Sequence, residues 1–322
     1  MEYNKSISEM CPGDRVEGFY VLSRASERTT QAGKPYLSVT IGDASGTLDG
    51  NMWEYGGGFG RDKEGSVVKI RGEVQTYKGA LQINIERIRE PVQSDSYDLS
   101  GLVPTAPIDP EDTWNDILYL IGTIEDGDYR AVCNEMMRRH ADAFKVIPAA
   151  KSVHHGFLNG LMMHTYNMLL LADFLAGRYS EIVDRSLLIA GTLLHDVAKY
   201  REFDLSPLGL VKDYSTEGKL IGHLVAGAQE VRDAAAMLGV PEEKSVLLQH
   251  MLLSHHGQPE FGACVLPQTA EAELLSYIDL VDSRMEIYAE TFAKTKAGEF
   301  SERVYALDGK RLYNHFSPEG IF

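Results

Sequence analysis

The chain has 322 residues, 44% of them hydrophobic and 24% charged, which argues against disorder and leaves room for two domains with separate cores. A formal net charge of −16 excludes a uniformly basic nucleic-acid protein. The acidity is uneven: residues 1–92 hold 12 Lys and Arg against 13 Asp and Glu, and the remainder 19 against 34. Divalent cations bound to the acidic part would reverse the sign of the local field and let it accept a phosphate.

The segment Met1 to Asp14 lacks a charged leader followed by an apolar run, and the most apolar stretch, Leu161 to Gly177, is interrupted by His164, Asn167 and Asp173. Neither a signal peptide nor a membrane span fits, and a soluble cytoplasmic protein is expected. Cys11, Cys133 and Cys264 lie far apart with no C-x-x-C pair, so they are expected to be small buried hydrophobes rather than a disulfide or zinc framework.

From residue 15 the pattern has period two. Five strands, over 15–24, 36–42, 47–54, 66–76 and 80–88, predict a small closed barrel of the OB type, in which Leu37, Val39, Ile41, Val68, Ile70, Ile83 and Ile85 face inward. The outward face would carry Tyr36, Asn51, Trp53, Lys69, Arg71, Gln82 and Asn84, aromatics and cations of the kind that stack bases and meet phosphates. Pro91, Pro104, Pro107 and Pro110 mark a linker over 93–112. Beyond it the periodicity is helical, with helices expected from Trp114 and near 126–141, 158–177, 180–199, 217–239, 241–254 and 269–296. The predicted organisation is thus a multidomain α and β protein: a nucleic-acid-binding barrel over 1–92, then an all-α domain over 113–322.

The helical part holds His164, the pair His195-Asp196, His223, the pair His255-His256, and Asp279. Each histidine alone reads as a satisfied core residue. Together, on successive helices, they are costly to bury separately and are side chains that divalent first-row metals accept, so convergence on metal is the better reading. No G-x-x-x-x-G-K-[ST], H-E-x-x-H or G-x-S-x-G motif supports a P-loop, a zinc protease or a serine hydrolase.

In the order His, His-Asp, His, His-His, Asp, the chain resembles the HD-domain phosphohydrolases with two metals. The residues that carry this are Gly160-Leu161-Met162-Met163-His164-Thr165, Leu194-His195-Asp196-Val197-Ala198-Lys199, Gly222-His223, Ser254-His255-His256-Gly257 and Tyr277-Ile278-Asp279. With the N-terminal barrel and the stretch Thr216 to His223, both domains resemble the YhaM-type 3′→5′ exoribonucleases. That resemblance implies one metal on His164, His195, Asp196 and Asp279 and another on Asp196, His223, His255 and His256, Asp196 bridging. It implies manganese, with iron, cobalt or nickel also suited to a nitrogen-rich set. Lys199, three residues after Asp196, would clamp a phosphate oxygen.

Asp282, one turn from Asp279, is the alternative last ligand, and His154 and His155 would be supporting residues. Asn159 stands where the family pattern usually has glycine. The implied activity is hydrolysis of single-stranded RNA or DNA to nucleoside 5′-monophosphates, with homo-oligomerisation left open and no membrane partner. Two alternatives remain: an HD phosphohydrolase of small or cyclic nucleotides, and a non-catalytic nucleic-acid-binding protein with a structural metal.

Overall fold

A computed structural model describes residues 2–30, 32–99, 101–150, 156–206 and 208–316; His154 and His155 lie outside the described residues. The described residues divide into two units, one running to Thr105 with the segment Leu205–Gly209, the other comprising Ala106–Asp204 and Leu210 onward.

The first unit is a barrel because one strand is long enough to serve two neighbours. After a two-residue strand β1 (Glu2–Tyr3) come β2 (Arg15–Thr29), β3 (Pro35–Asp43), β4 (Gly46–Met52), β5 (Val67–Tyr77) and β6 (Ala80–Arg89). The first half of β2 pairs with β5 and its second half with β3, with a bulge between Leu22 and Arg24 turning the strand from one partner to the other. The order β2-β3-β4-β6-β5 then closes back on β2. Because β2 continues past the bulge, it ends five residues later than the expected 15–24. Val16, Tyr20, Leu22, Leu37, Val39, Ile41, Val68, Ile70, Ile83 and Ile85 fill the interior, as the alternation requires. A Cβ on Gly72 would stand 2.5 Å from the Asn84 carbonyl oxygen, so the inward face tolerates only glycine there.

The second unit contains α1 (Pro110–Gly122), α2 (Gly127–Val146), α3 (Gly160–Arg178), α4 (Arg185–Leu194), α5 (Lys199–Glu202), the hairpin of β7 (Phe203–Leu205, whose last residue is counted with the first unit) and β8 (Val211–Tyr214), α6 (Thr216–Leu220), α7 (Gly222–Leu238), α8 (Glu242–Ser254) and α9 (Ala270–Ala293). Helix α4 is buried from Ser186 to Leu194, which its all-round apolar sequence demands, and it forms the centre of the bundle. Gly191 makes the α4–α8 approach possible, since a Cβ there would lie 2.5 Å from the Met251 methyl. Asn159 adopts φ +62 before α3, which explains a glycine preference at this position and why asparagine serves, its Nδ2 donating to the Lys145 carbonyl at 2.6 Å. No helix among the described residues is long and apolar enough to cross a membrane.

Several expectations need correction. The helix anticipated over 180–199 stops at Leu194, and a turn carries His195 to Ala198 before α5. The helix anticipated over 217–239 breaks at Gly222, whose φ of +76 starts α7 in a new direction. The β7–β8 hairpin was not anticipated, its strands being too short to show a period. Of the cysteines only Cys133, on a core-facing position of α2, is buried; Cys11 and Cys264 lie outside the helices and strands and are exposed.

A polar cluster ties α2, α5 and α7 together. Tyr200 and Arg201 donate to Glu230 Oε1 at 2.7 and 2.8 Å, and His140 Nε2 lies 2.8 Å from Oε2. Burial alone would raise the Glu230 pKa, but His140, Tyr200 and Arg201 outweigh it and hold the carboxyl down at about 2. A depressed carboxyl contributes stability that is complete above its unfolded pKa, near 4.5, and is lost as pH falls towards 2. Glu230→Gln is expected to flatten the acid limb of a Tm-against-pH curve between about pH 4.5 and 2, and at neutral pH to cost about 2 kcal/mol by weakening the charge-assisted bonds from Tyr200 and Arg201, although Arg201 keeps its second partner, Glu217; an unchanged acid limb would contradict this.

Candidate metal centre and nucleic-acid groove

The two adjacent pairs of candidate ligands are placed by the same device. His195-Asp196 follows directly on the last residue of α4, and His255-His256 directly on the last residue of α8. A helix end leaves its final carbonyls without intrahelical donors. His195 Nδ1 lies 2.7 Å from the Thr192 carbonyl oxygen and His255 Nδ1 lies 2.8 Å from that of Leu252, so each ring supplies a donor and is oriented by it. His164 and His223, inside helices, use carboxylates instead: His164 Nδ1 is 2.7 Å from Asp282 Oδ2 and His223 Nδ1 is 2.9 Å from Glu202 Oε1. All four rings thereby present Nε2 to a common centre, the tautomer a metal ligand needs.

Asp196 occupies that centre and its two oxygens face different sets. Oδ2 lies 3.2 Å from His195 Nε2 and 4.0 Å from His164 Nε2, while Oδ1 lies 3.0 Å from His223 Nε2 and 3.7 Å from His255 Nε2. Asp279 Oδ1 joins the first set, 3.3 Å from His164 Nε2. His256 joins the second, its ring centroid 4.4 Å from that of His255 and 5.4 Å from that of His223. Ligand atoms of His164, His195 and Asp196 lie within 4.8 Å of one another, as do those of His223, His255 and His256.

These residues fit divalent ions on grounds internal to the structure. Asp196 Oδ1, His223 Nε2, His255 Nε2 and His256 Nδ1 are buried with no hydrogen-bond partner; the 3.0 Å approach of Asp196 and His223 does not have hydrogen-bond geometry. Each such atom costs about 1–3 kcal/mol unless something satisfies it. His164 Nε2 and His195 Nε2 stand 3.3 Å apart, so that either one ring donates to the other or a cation satisfies both.

Charge is unevenly held within the cluster. Burial opposes charge on His164, but Asp279 and Asp282 raise its pKa to about 9, so a cation at Nε2 would displace a proton. Asp196, in spite of burial, is held far below the usual carboxylate range by Lys199 and the histidines, and Asp279 is held down chiefly by His164. Burial, reinforced by histidine neighbours, pushes His255 and His256 down, leaving both neutral and able to donate lone pairs. Lys199 neither points to solvent nor stands free: its Nζ is 2.6 Å from Asp196 Oδ2.

Asp279 and Asp282 are separated by their roles around one ring. Asp279, partly exposed, faces the Nε2 side of His164, and Asp282, buried, holds the Nδ1 side. Glu202 had no signal in the sequence pattern, since it lies in a four-residue helix outside any motif. Of the histidines set aside, His140 joins the Glu230 cluster and His250 Nε2 accepts from the Gln268 amide at 3.0 Å.

On the barrel, Tyr36, Asn51, Trp53 and Gln82 line one groove of about 520 Å³ across β3 and β4. Tyr36 and Trp53 rings lie 4.8 Å apart, and Trp53 remains half exposed. Lys69 and Arg71 do not join them: both sit on β5 beside Glu17, at 3.2 and 3.7 Å, and Asn84 also lies outside the groove lining. Around a closed barrel, strands far apart in the order face different directions, and β5 carries Lys69 and Arg71 to a surface apart from this groove. Arg24 and Arg28, overlooked in the sequence, supply the cations of the groove and make no ion pair among the described residues.

Residues 161–284 match the HD domain. Residues 21–91 match the OB-fold nucleic acid binding domain. The chain is therefore an OB-type barrel followed by a helical HD domain, and the HD domain indicates a metal-dependent phosphohydrolase. Among solved structures, the second OB-fold domain of replication protein A from Methanococcus maripaludis is 20% identical, covering 30% of this chain and 100% of that one with a TM-score of 0.24. The OB domain of Ta0387 from Thermoplasma acidophilum is 16% identical, covering 30% and 93% with a TM-score of 0.24.

Proposed function

We propose that the protein is a metal-dependent 3′→5′ exoribonuclease of the YhaM type, acting in the cytoplasm on single-stranded RNA. The observation that carries this reading is the division of the two Asp196 oxygens between two sets of inward-facing imidazoles. One cation would be held by His164, His195, Asp196 and Asp279, the other by Asp196, His223, His255 and His256, with manganese favoured by the nitrogen-rich donors. When bound, such ions supply a water nucleophile at neutral pH and neutralise charge on a transferring phosphoryl group. Lys199 would swing its ammonium from Asp196 to a non-bridging phosphate oxygen as the substrate enters. We further propose residues 1–92 as the strand-binding domain, 93–112 as linker and 113–322 as the catalytic domain.

The groove on the barrel supports a polynucleotide rather than a small nucleotide, because the β3–β4 face of an OB barrel is where oligonucleotides lie. Trp53 and Tyr36 would stack bases while Arg24 and Arg28 meet phosphates. Trp53→Ala is expected to weaken single-stranded RNA binding by about 1–3 kcal/mol in fluorescence anisotropy. Each of Arg24→Ala and Arg28→Ala should reduce the slope of log K against log salt by about 0.7. Variants that bind like the wild type would remove the groove from the path.

The activity is tested with single-stranded RNA labelled at either end, with manganese and with chelator. Stepwise shortening of the 5′-labelled strand and immediate release of a labelled mononucleotide from the 3′ end are expected. Cuts scattered through the interior, or unchanged chain length with turnover of small nucleotides, would contradict the reading.

A further inference from the structure

A cleft of about 320 Å³ opens directly from the metal-binding residues. It begins at His255, His256 and Asp279 and runs between the loop after His256 and the exposed side of α9. Gly257 at φ +75 turns the chain away from the ligand pair and lies close against Ser276 of α9. A short turn, Pro259–Phe261, then folds back, with Gly262 so near His256 that a Cβ there would stand 3.2 Å from Nδ1. The loop therefore forms a wall rather than an open tail.

This wall and the facing helix carry large apolar side chains that the bundle does not use. Phe261 is 73% exposed and Tyr277 56%, and neither makes a ring contact among the described residues. Leu280 lines the same cleft and is half exposed. Apart from the ligand residues, the polar side chains of the lining are Gln258, Glu273, Ser276 and Ser283. An inorganic phosphate needs nothing from aromatic walls. A planar, hydrogen-bonding group attached to a phosphate uses both kinds of surface, and a cleft of this size and mixed lining is of the class that holds such ligands.

We infer that this cleft binds the terminal nucleoside of the substrate, the part released as a nucleoside 5′-monophosphate, with Phe261 and Tyr277 as the base-contacting residues; the inference rests on the phosphodiesterase reading above. The cleft sets the specificity for a nucleotide, and the metal residues receive its phosphate.

The test is calorimetric binding of AMP and, separately, of inorganic phosphate to the manganese-loaded full chain, in the wild type and in Phe261→Ala/Tyr277→Ala. Both side chains are exposed, so the double variant should fold, and an unchanged Tm confirms it. The wild type is expected to bind AMP at least about tenfold more tightly than phosphate, and the variant to lose that advantage while its phosphate affinity stays within twofold. Equal affinities in the wild type, or full AMP affinity in the variant, would overturn the assignment of the cleft and leave the phosphoester centre standing. Failure of both ligands to bind the loaded wild type would overturn the phosphoester reading itself, and this inference with it.

Discussion

Asp196→Asn is expected to lower phosphodiester hydrolysis at least about 10³-fold while leaving single-stranded RNA binding within about twofold of the wild type. Asparagine keeps the shape of the side chain and one oxygen but removes the charge and the second acceptor. Oδ1 and Oδ2 of Asp196 face separate imidazole sets, so no neighbour can take over either half. The loss should therefore include metal content, measured by elemental analysis, as well as turnover. Alanine would be a harsher change, because the mostly buried Lys199 ammonium would lose its 2.6 Å partner at a cost of about 3–5 kcal/mol. RNA binding should survive, because its aromatic and cationic residues belong to the barrel. Retention of hydrolysis by Asp196→Asn would show that the acid does not serve the chemistry.

Glu202→Gln and Asp282→Asn are each expected to weaken one metal by about 10- to 100-fold, and not the same one. Each half of the site has one histidine oriented by a carbonyl and one by a carboxylate: His195 and His255 by Thr192 and Leu252, His164 and His223 by Asp282 and Glu202. Carbonyl anchors are part of the helix ends and cannot be removed by substitution. The carboxylates can. Converting either to its amide leaves a hydrogen-bonding group of the same size but removes the charge that favours the metal-binding form of the ring. Calorimetric manganese titration should then resolve one normal and one weakened site in each variant. Two unaltered sites in either variant would mean that its carboxylate only packs.

What the sequence made legible, and what it hid, has a common physical cause. Regular burial leaves a period in the chain, and both the barrel strands and the apolar stripes of the bundle were readable for that reason. The seven candidate ligand residues stand out because imidazoles and carboxylates are expensive to bury, so their accumulation on successive helices needs a shared explanation. Breaks between elements were not readable where the ligands themselves cause them. His195 takes the Thr192 carbonyl as its partner and α4 ends at Leu194, which no apolar period records. Glu202 and the Nδ1-holding role of Asp282 depend on three-dimensional proximity across 21 and 118 positions of chain. The split of Lys69 and Arg71 from Trp53 was hidden because alternation distinguishes inside from outside but not one outer face of a closed barrel from another.

The most direct measurement is anomalous diffraction at the manganese edge from crystals of the full chain grown with the ion. Two peaks flanking the Asp196 carboxylate are expected, one within bonding distance of His164, His195 and Asp279 and the other of His223, His255 and His256. A lone peak, or peaks remote from Asp196, would contradict the dinuclear centre on which the proposed chemistry depends.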